Sequence, residues 1–205
     1  MKKIFFDIET LPAPKDKHEI LKKIYTKKKE NGRMRHSFEN FLELTNFGGA
    51  FGRIFCICYA LDDEKVMPLV GDEKEILKKF WEIVSDFNLN YDRFIGHNIM
   101  EFDLKFIYQR SIILGVRPTQ ELSFARYRNT PIFDIMKEWS KWGQENISMD
   151  ELAHALSIPS SKDKIDGSQV HEYYKKGKYE DILNYCKKDV EVTRAIYKKM
   201  TFNAP

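Results

Sequence analysis

The chain has 205 residues, of which 42% are hydrophobic and 14% aromatic, so it is long and apolar enough for a globular domain and is not a disordered chain. Lysine and arginine number 34 against 31 aspartate and glutamate residues, and the net charge of +3 is too small to require a nucleic-acid partner by itself. The three cysteines, Cys56, Cys58 and Cys186, include no Cys-x-x-Cys pair and form no even set, which favours a reduced intracellular protein over a disulfide-bonded one.

The first predicted strand, residues 3–8, carries two acidic residues close together. Apolar side chains alternate along it, and the same alternation places Asp7 and Glu9 together on the opposite face. Two residues of a strand advance by about 6.6 Å, so both carboxylates lie within reach of one small cation. Without a cation they would repel each other, and burial would raise the pKa of one of them. For two acids alone, a solvated acidic face on an edge strand is the better explanation.

Asp7 also ends the first apolar run too early for a signal peptide. The longest uncharged apolar stretch, residues 54–61, has the length of a strand and cannot cross a bilayer. We therefore expect a cytoplasmic protein without a membrane partner.

Residues 15–47 form a basic insertion between the first strand and the second. Nine lysine or arginine residues and three acidic residues fall within 15–36. Two interpretations are open: a solvated amphipathic helix over the edge of the sheet, or a basic flap that binds a phosphate backbone beside the acidic face. If the segment is a flap, Gly48, Gly49 and Gly52 are expected to give it a flexible return into the second strand.

The later elements predict one mixed α/β domain over residues 1–205. A hairpin turn is expected at Asp62-Asp63, and Ser148 with Glu151 forms a capping box at a helix start. We expect a mixed sheet of about five strands with helices on both faces. The elements are predicted as strands at 53–61, 65–70, 92–96 and 130–133 and helices at 73–87, 101–115, 148–156 and 179–200.

The fourth strand runs directly into a polar turn and a helix. His97 and Asn98 lie at that turn, and Asp103 lies in the first turn of the helix. An acid there has an ordinary explanation, because carboxylates interact favourably with the helix dipole. However, open α/β sheets build their sites at the carboxyl ends of strands, so Asp103 and the acids of the first strand could converge there.

The last helix places an aspartate in the middle of its packing face. Ile182, Tyr185, Asp189 and Thr193 follow helical spacing, and a buried carboxylate is expensive unless a cation meets it. Tyr185, one turn before Asp189, would hold its hydroxyl beside that carboxylate. In isolation a buried tyrosine is more often a core residue with a satisfied hydroxyl, but together with the other acids it predicts a site.

These residues resemble the three exonuclease motifs of the DEDD superfamily. The motifs are Asp7-x-Glu9, then Asn98 and Asp103 in His-Asn-x-x-x-Phe-Asp, then Tyr185-x-x-x-Asp189, which is the form of the tyrosine (DEDDy) subclass. The chain is most similar to predicted 3′–5′ exonucleases related to the proofreading domain of family B DNA polymerases, which have the ribonuclease H-like fold. The resemblance spans residue 3 to about residue 200, and 15–47 is its least family-like part.

The resemblance implies a two-metal-ion 3′–5′ exonuclease acting on single-stranded DNA. Carboxylates suit two Mg²⁺ or Mn²⁺ ions, and no cysteine or histidine cluster that would indicate zinc is expected. Asp7 would bridge the two ions, Glu9 and Asp189 would hold the one that activates water, and Asp103 would help to hold the other. Tyr185 would orient the attacking water.

The resemblance also implies contacts to the substrate. Thr10 and Leu11 match positions that touch the 3′-terminal nucleotide, and His97 and Asn98 are predicted to contact the strand. In the loop at 160–167, Lys162 or Lys164 could lie near phosphates, although a purely polar loop explains the segment equally well.

Two other functions stay open at this level. An exoribonuclease would share the same site, since only contacts to the 2′-hydroxyl distinguish RNA from DNA. A catalytically inactive module that binds single strands would share the fold, but such a module is expected to have lost a metal ligand, and none is missing here.

Overall fold

The computed structural model describes residues 1–160 and 165–203. Its centre is a five-stranded sheet in the order β3-β2-β1-β4-β5, in which β1 pairs antiparallel with β2 and parallel with β4. The outer pairs are antiparallel for β2 with β3 and parallel for β4 with β5. The mixed five-stranded sheet predicted from the sequence is confirmed. The strands are β1 (Lys3–Leu11), β2 (Arg53–Leu61), β3 (Met67–Val70), β4 (Arg93–Gly96) and β5 (Ile132–Asp134).

Helices cover both faces of this sheet, because its strands carry apolar side chains on both sides. One face packs against α3 and α4, and the other packs mainly against α6 and α8. The helices are α1 (His18–Glu30), α2 (Phe38–Glu43), α3 (Glu73–Ile83), α4 (Asp103–Leu114), α5 (Ile135–Trp139), α6 (Met149–Ala155), α7 (Val170–Lys175) and α8 (Tyr179–Met200).

Most predicted elements occur, but their ends differ from the prediction. β1 continues three residues beyond the predicted end, to Leu11, and α3 ends at Ile83, four residues earlier than the pattern indicated. The helices α2, α5 and α7 were not predicted, since helices of five or six residues are too short to display a helical period.

The pairing of β1 with β2 contains a β-bulge. Glu9 lies opposite Cys56, but Thr10 lies opposite Ile54, so Phe55 has no partner on β1. The extra residue shifts the alternation of β2. As a result Ile54 faces α3, whereas Phe55, Cys56 and every second residue after Cys56 face α8.

The segment between β1 and β2 holds α1 and α2, and two of its glycines are packed closely against neighbouring residues. A Cβ atom on Gly49 would lie 2.8 Å from the Gln109 side chain, and one on Gly52 would lie 2.5 Å from the Thr45 carbonyl oxygen. These two glycines therefore allow close packing against α4 and against the insertion itself. The flexible return that Gly48, Gly49 and Gly52 were expected to give stays a prediction.

None of the helices in the described part of the chain combines the length and the apolar character that a membrane-spanning helix needs.

Candidate active site

The two acids of β1 lie in the part of the strand that pairs with β2 but no longer with β4. The pairing of β1 with β4 ends at Phe5 opposite Ile95, while β1 continues beside β2 alone. Asp7 and Glu9 occupy this unpaired half on the face toward α8, and Glu9 is only 7% exposed. The Asp7 and Glu9 carboxylates each have an oxygen within 4.8 Å of the other and of the Cys186 sulfur.

Asp103 joins them from the first residue of α4. It is 2% exposed, and its Oδ1 accepts a hydrogen bond of 3.1 Å from the backbone N–H of Ile8. The pairing of β1 with β4 ends at Phe5, and further along β1 this carboxylate is the acceptor for the Ile8 N–H. Asp103 therefore links α4 to the middle of β1.

Asp189 and Tyr185 come from α8, which packs across β1 and β2. Asp189 is 4% exposed, and Tyr185 is buried in a small apolar cluster with Leu11 and Ile182. The Tyr185 hydroxyl lies within hydrogen-bonding reach of the Asp189 carboxylate. One helical turn thus brings both groups to the same point, as their spacing predicted.

The electrostatics of the site show that the carboxylates act on one another. Burial, and then the charges of Asp103, Asp189 and Glu9, raise the pKa of Asp7 well above its ordinary value. Burial, followed by the charges of its acidic neighbours, likewise raises the pKa of Glu9. The pKa of Asp103 rises to about 7, first through burial, although its hydrogen bond from Ile8 opposes the rise. Four acids from three elements therefore form one negative cluster that a cation would stabilise.

The first two predicted substrate contacts are both buried. Thr10 donates a 2.8 Å hydrogen bond from its hydroxyl to the carbonyl of Asn46, in the insertion. Leu11 packs with Ile182 and Tyr185, the residue one turn before Asp189. These two residues therefore connect the end of β1 to the insertion and to α8.

The other predicted contacts lie at the turn after β4. His97 Nε2 contacts the carbonyl of Ile147 at 3.1 Å, and burial lowers the pKa of His97 to about 4, so the ring is neutral. Asn98 has a left-handed backbone, with φ of 62°, and its N–H donates to Asp134 Oδ1 at 3.1 Å. Lys164, together with Lys162, lies outside the described residues.

Sequence reasoning missed Asp134, which organises this turn. It is buried at the end of β5 and accepts hydrogen bonds from the N–H groups of Asn98 and Met100, at 3.1 and 3.0 Å. It also caps α5 by accepting from Met136 and Lys137. Asp134 thereby holds the segment that leads to Asp103. A strand followed by an aspartate and then a short apolar run could have signalled a helix cap there.

Sequence reasoning also missed that the three cysteines meet. The sulfur atoms of Cys56, Cys58 and Cys186 lie within 4.8 Å of one another. The expectation that the chain has no cysteine cluster is wrong, because it considered spacing along the chain and not the contact of β2 with α8.

Comparison with known proteins places the chain in a family. A family model described as "predicted 3′–5′ exonuclease related to the exonuclease domain of PolB" matches residues 50–204. The match includes Asp103, Tyr185 and Asp189 and leaves Asp7 and Glu9 outside it. No curated protein matches the chain.

Among solved structures, the fold is similar to that of the family B DNA polymerase from the hyperthermophilic archaeon Pyrobaculum calidifontis. The TM-score is 0.67 at 16% sequence identity, over 98% of this chain and 24% of the polymerase. At this identity the likeness concerns the fold alone, which is that of the ribonuclease H-like exonuclease domain. The chain spans about a quarter of the polymerase's length.

Proposed function

Because the chain belongs to the family of predicted 3′–5′ exonucleases related to the exonuclease domain of PolB, we propose that it removes nucleotides one at a time from the 3′ end of single-stranded DNA. The whole chain, residues 1–205, forms one exonuclease domain of the tyrosine subclass in this proposal, with the basic insertion at 15–47. Its reaction is the hydrolysis of a phosphodiester bond.

The observation that supports the proposal most is the convergence of acids from three separate elements. β1 contributes Asp7 and Glu9, α4 contributes Asp103, and α8 contributes Asp189. Buried carboxylates that raise one another's pKa lower the stability of the folded state unless a ligand such as a cation binds them, and such costly groups are typical of functional sites. Their presence together favours a site built for cations and for the phosphate that cations bind.

The donor set suits two divalent cations of the Mg²⁺ or Mn²⁺ type. All four groups offer carboxylate oxygens, the hard ligands that these ions prefer. When bound, such ions neutralise charge on the phosphate and lower the pKa of a bound water. Asp7, Glu9, Asp103 and Asp189 would hold them, and the backbone N–H of Ile8 would keep the Asp103 carboxylate oriented.

Tyr185 would position the attacking water as a hydrogen-bond donor. Burial, and then the charges of Asp189, Glu9 and Asp7, raise the pKa of its hydroxyl above the ordinary value. The ordinary pKa of a phenol is already about 10, so the hydroxyl keeps its proton at neutral pH and is better suited to orienting water than to acting as a base. Its remaining contribution is orientation, and its contact with Asp189 directs the hydroxyl toward the acids.

The substrate contacts would come from the turn after β4 and from the end of β1. His97 and Asn98 would contact the strand near its 3′ end. Thr10 and Leu11 are largely buried and would contact the terminal nucleotide only through the small part of their surface that is exposed. Lys164 and the basic insertion are further candidates for phosphate contacts.

A labelled-strand assay tests this proposal. Single-stranded DNA and RNA, each labelled at the 5′ or the 3′ end, are incubated with the chain in Mg²⁺, Mn²⁺ or chelator. The expected result is a descending ladder from 5′-labelled DNA, immediate release of the 3′ label as a mononucleotide, and no cleavage in chelator. Release of the 5′ label first, or binding without cleavage in both metals, would overturn the exonuclease assignment. Cleavage of RNA but not of DNA would show that the substrate is RNA and not the proposed DNA.

A matched pair of variants connects the activity to the site. Asp189→Asn removes one charge from the cluster, whereas Asp63→Asn makes the same change at an exposed turn, where Asp63 pairs with Lys198. The first is expected to abolish cleavage and the second to leave it unchanged. Equal rates in the two variants would show that the activity arises elsewhere.

A further inference from the structure

The chain's three cysteines come together at one buried point between β2 and α8. All three are inaccessible to solvent, and none is in a disulfide. Their sulfur atoms lie within 4.8 Å of one another. They are the only cysteines in the sequence, so every thiol of the chain is collected in this cluster of Cys56, Cys58 and Cys186.

The register of β2 places two of the three thiols on one face of the sheet. Cys56 and Cys58 lie two residues apart in the regular part of the ladder, opposite Glu9 and Asp7, so both face α8, where they meet Cys186. The β-bulge lies beyond this pair and turns Ile54 to the other face.

Buried cysteines are common as small apolar residues, and packing alone would explain one or two of them. The polar surroundings of this cluster distinguish it from simple packing. Cys186 Sγ lies 3.5 Å from both the carbonyl oxygen and Oδ2 of Asp7, and Cys58 Sγ lies 3.9 Å from the Leu183 carbonyl. A carboxylate oxygen thus lies beside Cys186, at the edge of the three sulfurs, and is the nearest candidate for a fourth ligand.

We propose that Cys56, Cys58 and Cys186 form a binding site for one soft divalent cation of the Zn²⁺ type, and that Asp7, which already contacts Cys186, moves toward the other two sulfurs to become the fourth ligand. Sulfurs bound to zinc at about 2.3 Å in a tetrahedron lie about 3.8 Å apart, so only a small contraction of the cluster is needed. Each thiol releases its proton to solvent as its bond to the metal forms. The ligand chemistry differs from that of the carboxylate cluster, which suits hard cations.

Occupancy of this thiol site should affect the carboxylate cluster, because Asp7 belongs to both. A soft cation that takes Asp7 Oδ2 leaves the hard-cation site with one ligand engaged elsewhere. The site is therefore inhibitory for the proposed nuclease. This consequence rests on the proposed function, but the binding itself does not.

Binding is tested with Cd²⁺ as the probe on the intact, reduced chain. The expected result is an ultraviolet thiolate-to-cadmium absorption band that saturates at one equivalent, with one bound ion in native mass spectrometry. In Cys56→Ala/Cys58→Ala the band should be lost, whereas Asp103→Asn, which keeps all three thiols, should retain it. No band in the unaltered chain at one equivalent overturns the proposal without any variant, and a band of wild-type intensity in the double cysteine variant does the same.

Inhibition is tested separately, with Zn²⁺ added to the nuclease assay in excess Mg²⁺. The unaltered chain should lose at least tenfold of its rate at a Zn²⁺ concentration that leaves Cys56→Ala/Cys58→Ala unaffected. Equal inhibition of both proteins would place Zn²⁺ at the carboxylates and overturn the coupling. If the chain were no nuclease at all, the cadmium band would still appear, so the two proposals fail independently.

Discussion

Replacing Asp103 by asparagine or by alanine separates the two things that this residue does. Both variants lose the negative charge that a cation requires, so both should lose cleavage. They differ in one atom that matters: asparagine keeps an oxygen that can accept the 3.1 Å hydrogen bond from the Ile8 N–H, and alanine does not. The two variants should therefore be equally inactive but should differ in stability when both are measured in chelator.

The size of each effect follows from the site. The pKa of Asp103 rises from 3.8 to about 7 in the folded protein. Each tenfold change in an acid constant is worth about 1.4 kcal/mol, so ionised Asp103 destabilises the metal-free protein by up to about 4 kcal/mol. Asparagine removes that cost. Alanine removes it as well but leaves a buried N–H without an acceptor, at a cost of about 1–3 kcal/mol.

The assay is thermal unfolding in chelator at about pH 8, where Asp103 is ionised. Asp103→Asn should melt above the unaltered chain and above Asp103→Ala. The gap between the variants should be about 2–12 °C, since about 2–4 °C corresponds to 1 kcal/mol for a chain of this size. Equal melting of the two variants would refute the hydrogen-bond role. An asparagine variant less stable than the unaltered chain would refute the electrostatic reasoning.

The pH dependence has a definite sign. A raised folded pKa means that the folded state holds this proton more tightly than the unfolded chain, so its stabilisation is present at low pH and is lost as the pH rises toward 7. In chelator, the unaltered chain should therefore lose stability relative to Asp103→Asn as the pH rises through this range. A constant difference would contradict the assignment.

Three further outcomes are expected. Tyr185→Phe should slow single-turnover cleavage by about 10²-fold, the low end for a positioning group, with unchanged binding in Ca²⁺; a wild-type rate would return the ring to a packing role. Replacing the lysines at 27–29 by glutamine should lower the salt dependence of single-strand binding by about 0.7 per lost phosphate contact, and an unchanged slope would leave α1 a structural cover. Because burial lowers the pKa of His97 to about 4, its contribution to stability is lost as the pH falls from 6.5 toward 4; His97→Gln should melt with a shallower loss over that range, and parallel curves would contradict this.

Much of the fold and of the candidate site could be predicted from residue patterns within single strands and helices. The alternation around Asp7 and Glu9 and the helical face of Tyr185 and Asp189 depend on periods that a single element displays. Asp103 could be placed because a strand, a polar turn and an apolar helix follow one another within a few residues. These groups meet in the structure at the edge where a parallel strand ends, as the general rule for open sheets predicts.

The features that could not be predicted depend on contacts between distant elements. The meeting of Cys56 and Cys58 with Cys186 depends on how α8 packs on β2, which the spacing of residues along the chain does not show. The glycines at 49 and 52 show the same limit, because the sequence marks conformational freedom and cannot show which atoms approach. Asp134 differs from these features, because the helix that it caps is too short to show a period but the aspartate directly after a strand was itself a usable cap signal.

The β-bulge also brings β2 into contact with the start of α8. Phe55, the surplus residue, packs against Tyr174 of α7 and Tyr179 at the start of α8, with ring centres 5.5 and 5.8 Å away. These contacts oppose movement of α8 along the sheet. A shift of α8 by one turn, about 5.4 Å, would move Asp189 away from the acids of β1. Deleting one residue of β2 at the bulge is therefore expected to displace Asp189, although the two residues are far apart in the sequence.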